Sequence, residues 1–321
     1  MLNRSPLMAI LLLILLLLPG APRAATQSAA FDPRQAGYEK VFGDEFDDDR
    51  SIDKDATGRD GFKWYVTKFL LGYEKTEKAA FAVADGVLTI HPQDKSNWTL
   101  ATAGPSRIRG AFVGTTFSHG FYVEARIALD TAKVDTAQGW PAFWALPIEK
   151  LLQTDADQCP GQPIGYKRYV EDDFFEYNVA RDRGAKAFTS TVLDFFGSWK
   201  KTCRDDGYCH VGNQGPPSDF ENHIVGPDED VDWNDFHIVS QLWTPGSAEN
   251  GWKGSIQNYL DGRPTTSRVE WSDSDGYGCP PRGRSIFNAM DNQGMVLILG
   301  AGLNQTMRFD WIRVWRKPAR S

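Results

Sequence analysis

The sequence predicts an all-β protein, built as a two-sheet β-sandwich of the jelly-roll type. From Tyr38 onward, short runs rich in β-branched and aromatic residues alternate with Gly, Pro, Asn and Asp, as in strands joined by turns. Residues 121–129 give the clearest pattern, because every odd position is apolar while the even positions include Glu124 and Arg126. Helical periodicity is almost absent, so ten or more strands at this spacing favour a sandwich.

Further strands are predicted over the whole of this length. They are 87–91, 139–146, 186–196, 236–244, 254–261, 295–299 and 307–315. Residues 147–168 and 197–234 lack strand character, and we interpret them as loops that border the binding surface. No change in composition marks a second domain, so residues 26–321 are predicted to form one domain.

The first residues have the features of a secretory signal peptide. The apolar run at 7–18 is shorter than the ~20 residues that a membrane-spanning helix needs. Pro19 and Gly20 end this run, and small residues follow it. We therefore predict a signal peptide at 1–25, with cleavage at about 24–30. The mature protein is expected to be secreted or periplasmic, with no membrane attachment after cleavage.

Charge and composition narrow the classes of partner. The formal net charge is −7 and no polybasic run is present, which argues against nucleic acid or an anionic membrane as partner. Eleven tryptophans are a high number for a soluble chain, and indole rings stack on the apolar faces of sugars. These features favour a carbohydrate ligand, and we expect the protein to be a monomer.

Four cysteines remain after the predicted cleavage, at 159, 203, 209 and 279. In an exported protein this even number favours two disulfides with three alternative connectivities. Cys203–Cys209 is our preferred pair, because it closes a short loop. The spacing matches no zinc motif and the five histidines are scattered, so no metal or other cofactor is expected to be required for catalysis.

The acidic stretch at 170–177, Val-Glu-Asp-Asp-Phe-Phe-Glu-Tyr, carries the candidate chemistry. On a regular strand Glu171 and Asp173 point to one face and Glu176 to the other. One extra residue near Asp173–Phe175, a β-bulge, would return Glu176 to the face of the other two. The glutamate carboxyls would then approach to roughly 5–6 Å, the separation found in retaining glycosidases. An acidic cluster is also typical of solvated surface, so these eight residues alone do not decide.

Further motifs follow one another in order on both sides of the acidic stretch. They are Phe42-Gly-Asp-Glu-Phe46, Asp85-Gly86-Val87-Leu88, Gly120-Phe-Tyr-Val-Glu124-Ala-Arg126, Gly139-Trp140-Pro-Ala-Phe-Trp144, Phe236-His237, Trp243-Thr-Pro245, Tyr259-Leu-Asp-Gly262 and Phe309-Asp310-Trp311-Ile-Arg313-Val-Trp315. With the acidic stretch in the bulged form Glu-x-Asp-x-x-Glu, this order resembles glycoside hydrolase family 16, which includes laminarinases and other β-glucanases. The resemblance covers residues 40–316.

The resemblance implies a jelly roll with a concave substrate cleft, and makes 26–321 the catalytic domain. It implies a secreted, endo-acting hydrolase that cleaves β-linked polysaccharide with retention of configuration. In this family pattern Glu171 is the nucleophile, Glu176 is the acid/base, and Asp173 is their hydrogen-bonding auxiliary. Trp140 and Trp144 share a face of their predicted strand and would both stack on sugar rings. The substrate would be a β-1,3- or mixed-linked glucan, or a galactan.

Two further points concern residues outside the carboxylate motif. Asp172 departs from the family, which usually has an aliphatic residue on this core-facing side, and a buried charge there needs a partner. Relatives often hold a structural calcium with backbone oxygens near the first strands and a carboxylate from the last, and the matching positions here are Glu45, Gly86 and Asp310. Oxygen ligands of this kind favour Ca²⁺ over a transition metal.

Two alternatives to hydrolysis remain on the same scaffold. A transglycosylase would pass the glycosyl group to another sugar instead of to water. A lectin-like protein would bind carbohydrate without cleaving it, and such a protein would be expected to lose a catalytic carboxylate. Because Glu171, Asp173 and Glu176 are all present, the sequence favours an enzyme.

Overall fold

Strands make up almost all the regular structure of the computed structural model. The model describes residues 30–66, 80–91, 98–108, 110–130, 141–148, 166–177, 188–198, 223–225, 231–265, 269–272, 294–301 and 305–318. The strands are β1 (Glu39–Asp44), β2 (Ile52–Asp53), β3 (Trp64–Val66), β4 (Phe81–Ala84), β5 (Val87–Ile90), β6 (Trp98–Ala101), β7 (Ala103–Pro105), β8 (Phe112–Gly114), β9 (Phe121–Leu129), β10 (Ala142–Pro147), β11 (Tyr166–Glu176), β12 (Phe188–Ser198), β13 (His223–Val225), β14 (His237–Thr244), β15 (Gly254–Leu260), β16 (Arg263–Pro264), β17 (Val269–Trp271), β18 (Met295–Ala301) and β19 (Met307–Arg316).

Among the described residues these strands form two large sheets and one hairpin. The nine-stranded sheet runs in the order β16-β15-β14-β9-β19-β5-β4, with β1 paired to β19 and β17 paired to β15. The eight-stranded sheet runs β13-β12-β11-β10-β18-β6-β3-β2, and β7 pairs with β8. The predicted all-β sandwich of jelly-roll type is confirmed.

The alternation at 121–129 is confirmed residue by residue on β9. Its apolar odd positions, including Phe121 and Ile127, are fully buried in the core between the sheets. Tyr122 points the other way, into a separate aromatic cluster with Tyr259 and Trp315. Successive side chains of a strand point to opposite faces, and the two faces of β9 meet different surroundings. Apolar and polar residues therefore alternate along its sequence.

Both segments predicted as loops contain strand residues. Strand β11 begins at Tyr166 and β12 continues to Ser198, so both enter segments predicted as loops. The three-residue strand His223–Val225 also lies inside the predicted loop 197–234 and pairs with the start of β12. Three residues are too short to show a period of two, and such a strand forms only because a neighbour supplies hydrogen bonds.

The eight-stranded sheet is apolar on both of its faces near its centre. On β10, Phe143 and Ala145 lie in the core between the sheets, whereas Ala142, Trp144 and Leu146 belong to a second buried cluster on the opposite face. Strand β18 repeats this alternation beside it. The second cluster therefore marks the outer face of the sheet that carries β11.

Candidate active site

Strand β11 lies inside the eight-stranded sheet, hydrogen-bonded to β10 on one side and β12 on the other. The register slips by one residue at the acidic stretch. Trp144 pairs with Asp173 and Phe143 with Phe175, so one step on β10 matches two steps on β11. Against β12 the register likewise shifts between Asp173 and Glu176. The predicted β-bulge is confirmed, with Phe174 as the extra residue.

The bulge turns two consecutive aromatic side chains into the core. Phe174 lies 4.9 Å from Phe143 between ring centroids, and Phe175 lies 4.8 Å from Phe188. Both rings belong to the core between the sheets. On a regular strand neighbouring residues point to opposite faces, so the two inward rings are the physical reason that Glu176 returns to the outer face.

Glu171, Asp173 and Glu176 therefore share the outer face of the sheet, which we call the carboxylate face. Asp173 is paired with Trp144, and Glu176 with Ala142, both members of the outer apolar cluster. Glu171 and Glu176 are partly exposed, whereas Asp173 is buried. The three positions thus meet on one face, while their chemical roles and the 5–6 Å carboxyl separation stay predictions.

A serine on β12 supports the backbone beside the bulge. The buried Ser190 hydroxyl donates a hydrogen bond of 2.9 Å to the Asp173 carbonyl. A bulge interrupts the ladder of backbone bonds, and a side-chain donor gives this carbonyl a partner where the ladder is irregular. No local sequence pattern singles out Ser190. Its position opposite the acidic stretch becomes apparent only once the register between β11 and β12 is known.

Of the two predicted sugar-stacking residues, Trp144 lies on the carboxylate face and Trp140 lies outside the described residues. The Trp144 ring packs directly on β18, where a Cβ atom on Gly300 would come within 2.6 Å of two ring atoms. Only 2% of Trp144 is exposed, so the ring presents little surface to a sugar in this arrangement. Substrate contact by Trp144 stays a prediction.

Asp172 points into the core, as the sequence predicts, and its partner comes from the other sheet. Gln241 of β14 donates a hydrogen bond of 3.0 Å from Nε2 to Asp172 Oδ1, and both side chains have no exposed surface. Burial raises the pKa of the Asp172 carboxyl to about 7, and the hydrogen bond from Gln241 opposes part of this rise. Gln241 was missed. Its signal was a polar residue at the inward position between Val239 and Trp243.

The proposed calcium ligands lie along the outer side of the nine-stranded sheet. Glu45 follows β1 and receives two hydrogen bonds from Arg313, of 3.0 and 2.7 Å, and Asp310 is paired with Arg126. Gly86 forms the two-residue turn between β4 and β5 with a positive φ of 75°. The Asp310 carboxylate, the one expected side-chain ligand, thus already faces a guanidinium group, which fits calcium coordination by this side chain poorly. No group of three metal-binding side chains occurs among the described residues.

Several sequence predictions fall outside the described residues. They are the signal peptide, all four cysteines with the preferred Cys203–Cys209 disulfide, and most of the two long segments predicted as loops. These remain predictions. In the part of the chain that the structure covers, no helix has the length and apolar character needed to cross a bilayer.

The fold has counterparts among solved structures, although no family model and no curated protein sequence matches this chain. An endo-1,3-β-glucanase from Streptomyces sioyaensis is 16% identical, with a TM-score of 0.52 over 87% of this chain and 96% of that one. A GlcNAcα1-4Gal-releasing endo-β-galactosidase from Clostridium perfringens is also 16% identical, with a TM-score of 0.49 over 91% of this chain and 65% of that one. At this identity the likeness to the glucanase shows the fold: this chain has the β-sandwich of a jelly-roll glycanase.

Proposed function

We propose that this protein is a retaining endo-β-glycanase of the glycoside hydrolase family 16 type. The observation that carries the proposal is the bulge at Phe174, which places Glu171, Asp173 and Glu176 on one face of a single strand. A retaining mechanism needs two carboxyl groups that flank the scissile bond, one to attack the anomeric carbon from the side opposite the leaving group and one to exchange a proton on the leaving-group side. The shared fold with an endo-1,3-β-glucanase supports the same interpretation.

Each residue has one role in the proposed double displacement. A Glu171 oxygen attacks the anomeric carbon, the bond from that carbon to the leaving oxygen breaks, and Glu176 gives its proton to that oxygen. In the second half, Glu176 takes a proton from water, the water oxygen attacks the anomeric carbon, and the bond to Glu171 breaks. Asp173, buried between them, hydrogen-bonds the nucleophile and holds its orientation.

The proposed substrate is a β-linked polysaccharide, either a β-1,3- or mixed-linked glucan or a galactan. The proposed location is outside the cytoplasm, supported by the apolar run at 7–18. A transglycosylase would share every residue and differ only in the acceptor of the glycosyl group. A lectin-like role is disfavoured, because a binding protein has no need for three acidic side chains on the carboxylate face.

The test is a reducing-end assay of the purified protein on laminarin, lichenan, agarose and keratan-type galactan, with Glu171→Gln as the matched control. We expect one substrate class to give new reducing ends with the wild-type protein and none with the variant. NMR of the first product should show retained anomeric configuration. An inverted product would reject the role assignment, and no cleavage with tight binding would favour the lectin-like alternative.

A further inference from the structure

Asp172 and Gln241 form an isolated polar pair in the core, directly behind the carboxylate face. The cross-strand neighbours of Asp172 are Ala145 on β10 and Val192 on β12, both buried. Gln241 reaches it from the opposite sheet, across the space that the apolar core fills. Side chains this deeply buried must satisfy one another, because water does not reach them.

If Asp172 is ionised, two buried oxygen atoms of this pair have no hydrogen-bond donor. One bond joins Gln241 Nε2 to Asp172 Oδ1. Asp172 Oδ2 and Gln241 Oε1 are both buried, and neither has a hydrogen-bond partner among the described residues. A carboxylate and an amide oxygen are acceptors only, so no rotation of either group removes the deficit. One proton on Asp172 removes it, because the acid can then donate to the amide oxygen while it accepts from the amide nitrogen.

Among the described residues, the surroundings of Asp172 supply no positive charge to stabilise an ionised form. From β14 it faces Gln241, with Val239 and Trp243 at the neighbouring inward positions. Beyond Gln241 the cross-strand neighbour on β15 is Asn258, which is also uncharged. The titratable groups nearest along its own strand are Glu171 and Asp173, on the opposite face of β11. Both are acids, so they disfavour a further negative charge between them.

We propose that Asp172 is held as a neutral, protonated acid by Gln241, and that this pair is a positioning element for the carboxylate strand. The pair ties β11 to the opposite sheet at the position between Glu171 and Asp173. When Asp172 loses its proton, a negative charge appears in the core and the second hydrogen bond is lost. Ionisation of Asp172 therefore sets an alkaline limit to the activity of the carboxylate face. This last step rests on the proposed function, whereas the protonation of Asp172 does not.

Asp172→Asn is the sharpest test, because an asparagine amide reproduces both hydrogen bonds of the neutral acid without a titrating proton. In denaturant titrations, the stability of the variant relative to wild type should increase from about pH 5 to about pH 8. The infrared spectrum of the wild-type protein near pH 6 should contain the carbonyl stretch of a protonated carboxyl that the variant lacks. A constant stability difference, or identical infrared spectra, would overturn the proposed protonation.

Asp44→Asn is the matched control, since Asp44 is a buried aspartate in surroundings of the opposite kind. Its carboxylate accepts hydrogen bonds from the Phe46 backbone and the Trp64 indole, at 3.2 and 2.9 Å, and Lys63 lies 3.4 Å away. In Asp44→Asn the amide N–H₂ group would replace one carboxylate oxygen, and it would then face hydrogen-bond donors instead of acceptors. We therefore expect Asp44→Asn to be less stable than wild type at both pH values, with the infrared band of the protonated acid retained.

The positioning role is tested by the pH profile of kcat/KM, measured well below the melting temperature. Below about pH 6, Asp172→Asn should keep the wild-type value within about 3-fold. On the alkaline side it should retain activity that the wild type loses. The double variant Asp172→Leu/Gln241→Leu, which makes the pair apolar, should extend the alkaline limit in the same way. If kcat/KM fell at the same alkaline pH in all three proteins, the positioning role would be overturned. Inactivity of every protein on all substrates would reject the proposed function, while the stability and infrared results would still decide protonation.

Discussion

The two faces of β11 place opposite demands on the same kind of side chain. On the carboxylate face, Glu171 and Glu176 are partly exposed acids that can exchange protons with a ligand. On the core face, Asp172 is fully buried and meets one amide from the other sheet. Only the pleat of the strand separates these surroundings, since successive residues point in opposite directions.

The difference teaches that residue type alone does not assign an acid to chemistry. Four acids lie within six positions, and the structure divides them by face into three outward and one inward. The inward acid can be accommodated only as part of a hydrogen-bonded pair, because a buried unpaired charge is strongly destabilising. The comparison predicts that outward substitutions mainly change turnover, whereas inward ones mainly change stability and its pH dependence.

The largest expected effect is that of Glu171→Ala on the carboxylate face. Loss of the nucleophile should lower kcat by roughly 10⁴-fold or more, while the melting temperature changes little because the side chain is not part of the core. Added azide should restore turnover by filling the vacated space, giving a glycosyl azide of inverted configuration. Residual wild-type-like turnover without azide would assign the nucleophile to another residue.

Trp144→Ala tests whether this tryptophan stabilises the fold, as its burial suggests, or contacts the substrate, as its position on the carboxylate face suggests. Trp144 lies on the carboxylate face but is 2% exposed and packs on Gly300, so truncation should cost about 3–5 kcal/mol of unfolding free energy. Denaturant unfolding would measure this loss, and kcat/KM at a temperature where the variant is folded would report any substrate contact. A variant of unchanged stability with strongly reduced kcat/KM would show that the ring serves the substrate instead.

Asp172 should make stability depend on pH in a defined window. Burial raises the pKa of its carboxyl from 3.8 to about 7, so between these values the folded protein binds one proton more than the unfolded chain. The unfolding free energy therefore falls as the pH rises through this window, by about 4 kcal/mol from this residue at ~1.4 kcal/mol per unit. Subtracting the Asp172→Asn curve isolates the contribution. A difference, wild type minus variant, that rose with rising pH would contradict the sign.

Calcium should have the smallest effect. The Asp310 carboxylate, the one expected side-chain ligand, already faces Arg126, so Ca²⁺ would have to displace this arginine. We expect Ca²⁺ to raise the melting temperature of EDTA-treated protein by at most about 2–4 °C, equivalent to ~1 kcal/mol or less. Scanning calorimetry with and without Ca²⁺ measures the shift. A rise well above ten degrees would mean that the metal, and not Arg126, occupies the Asp310 carboxylate.

The sandwich and the bulge could be predicted from the sequence because both follow from the alternation of side chains between the two faces of a strand. Alternation at 121–129 fixed the faces of β9, and the parity of Glu176 required one extra residue. The partner of Asp172 could not be predicted in this way. Gln241 is 69 residues away and lies on the other sheet, and pairing between sheets depends on how they pack rather than on a local pattern. The burial of Trp144 could not be predicted for the same reason. Its position along the strand gives the face to which the side chain points, but not the residues that cover that face.

The bulge at Phe174 also bears on how this scaffold can change in evolution. Loss of the Phe174 codon would leave Glu171, Asp173 and Glu176 alternating on a regular strand, still on one face, with one aromatic ring fewer in the core. Gain of a codon at the same place would also keep Glu176 on this face, because four regular steps from Asp173 return to the same side, but these four steps would lie opposite only two steps of β12. Changes of length here are therefore asymmetric: a deletion preserves both the face of the three acids and the register with β12, whereas an insertion preserves the face but leaves two residues of β11 without partners on β12.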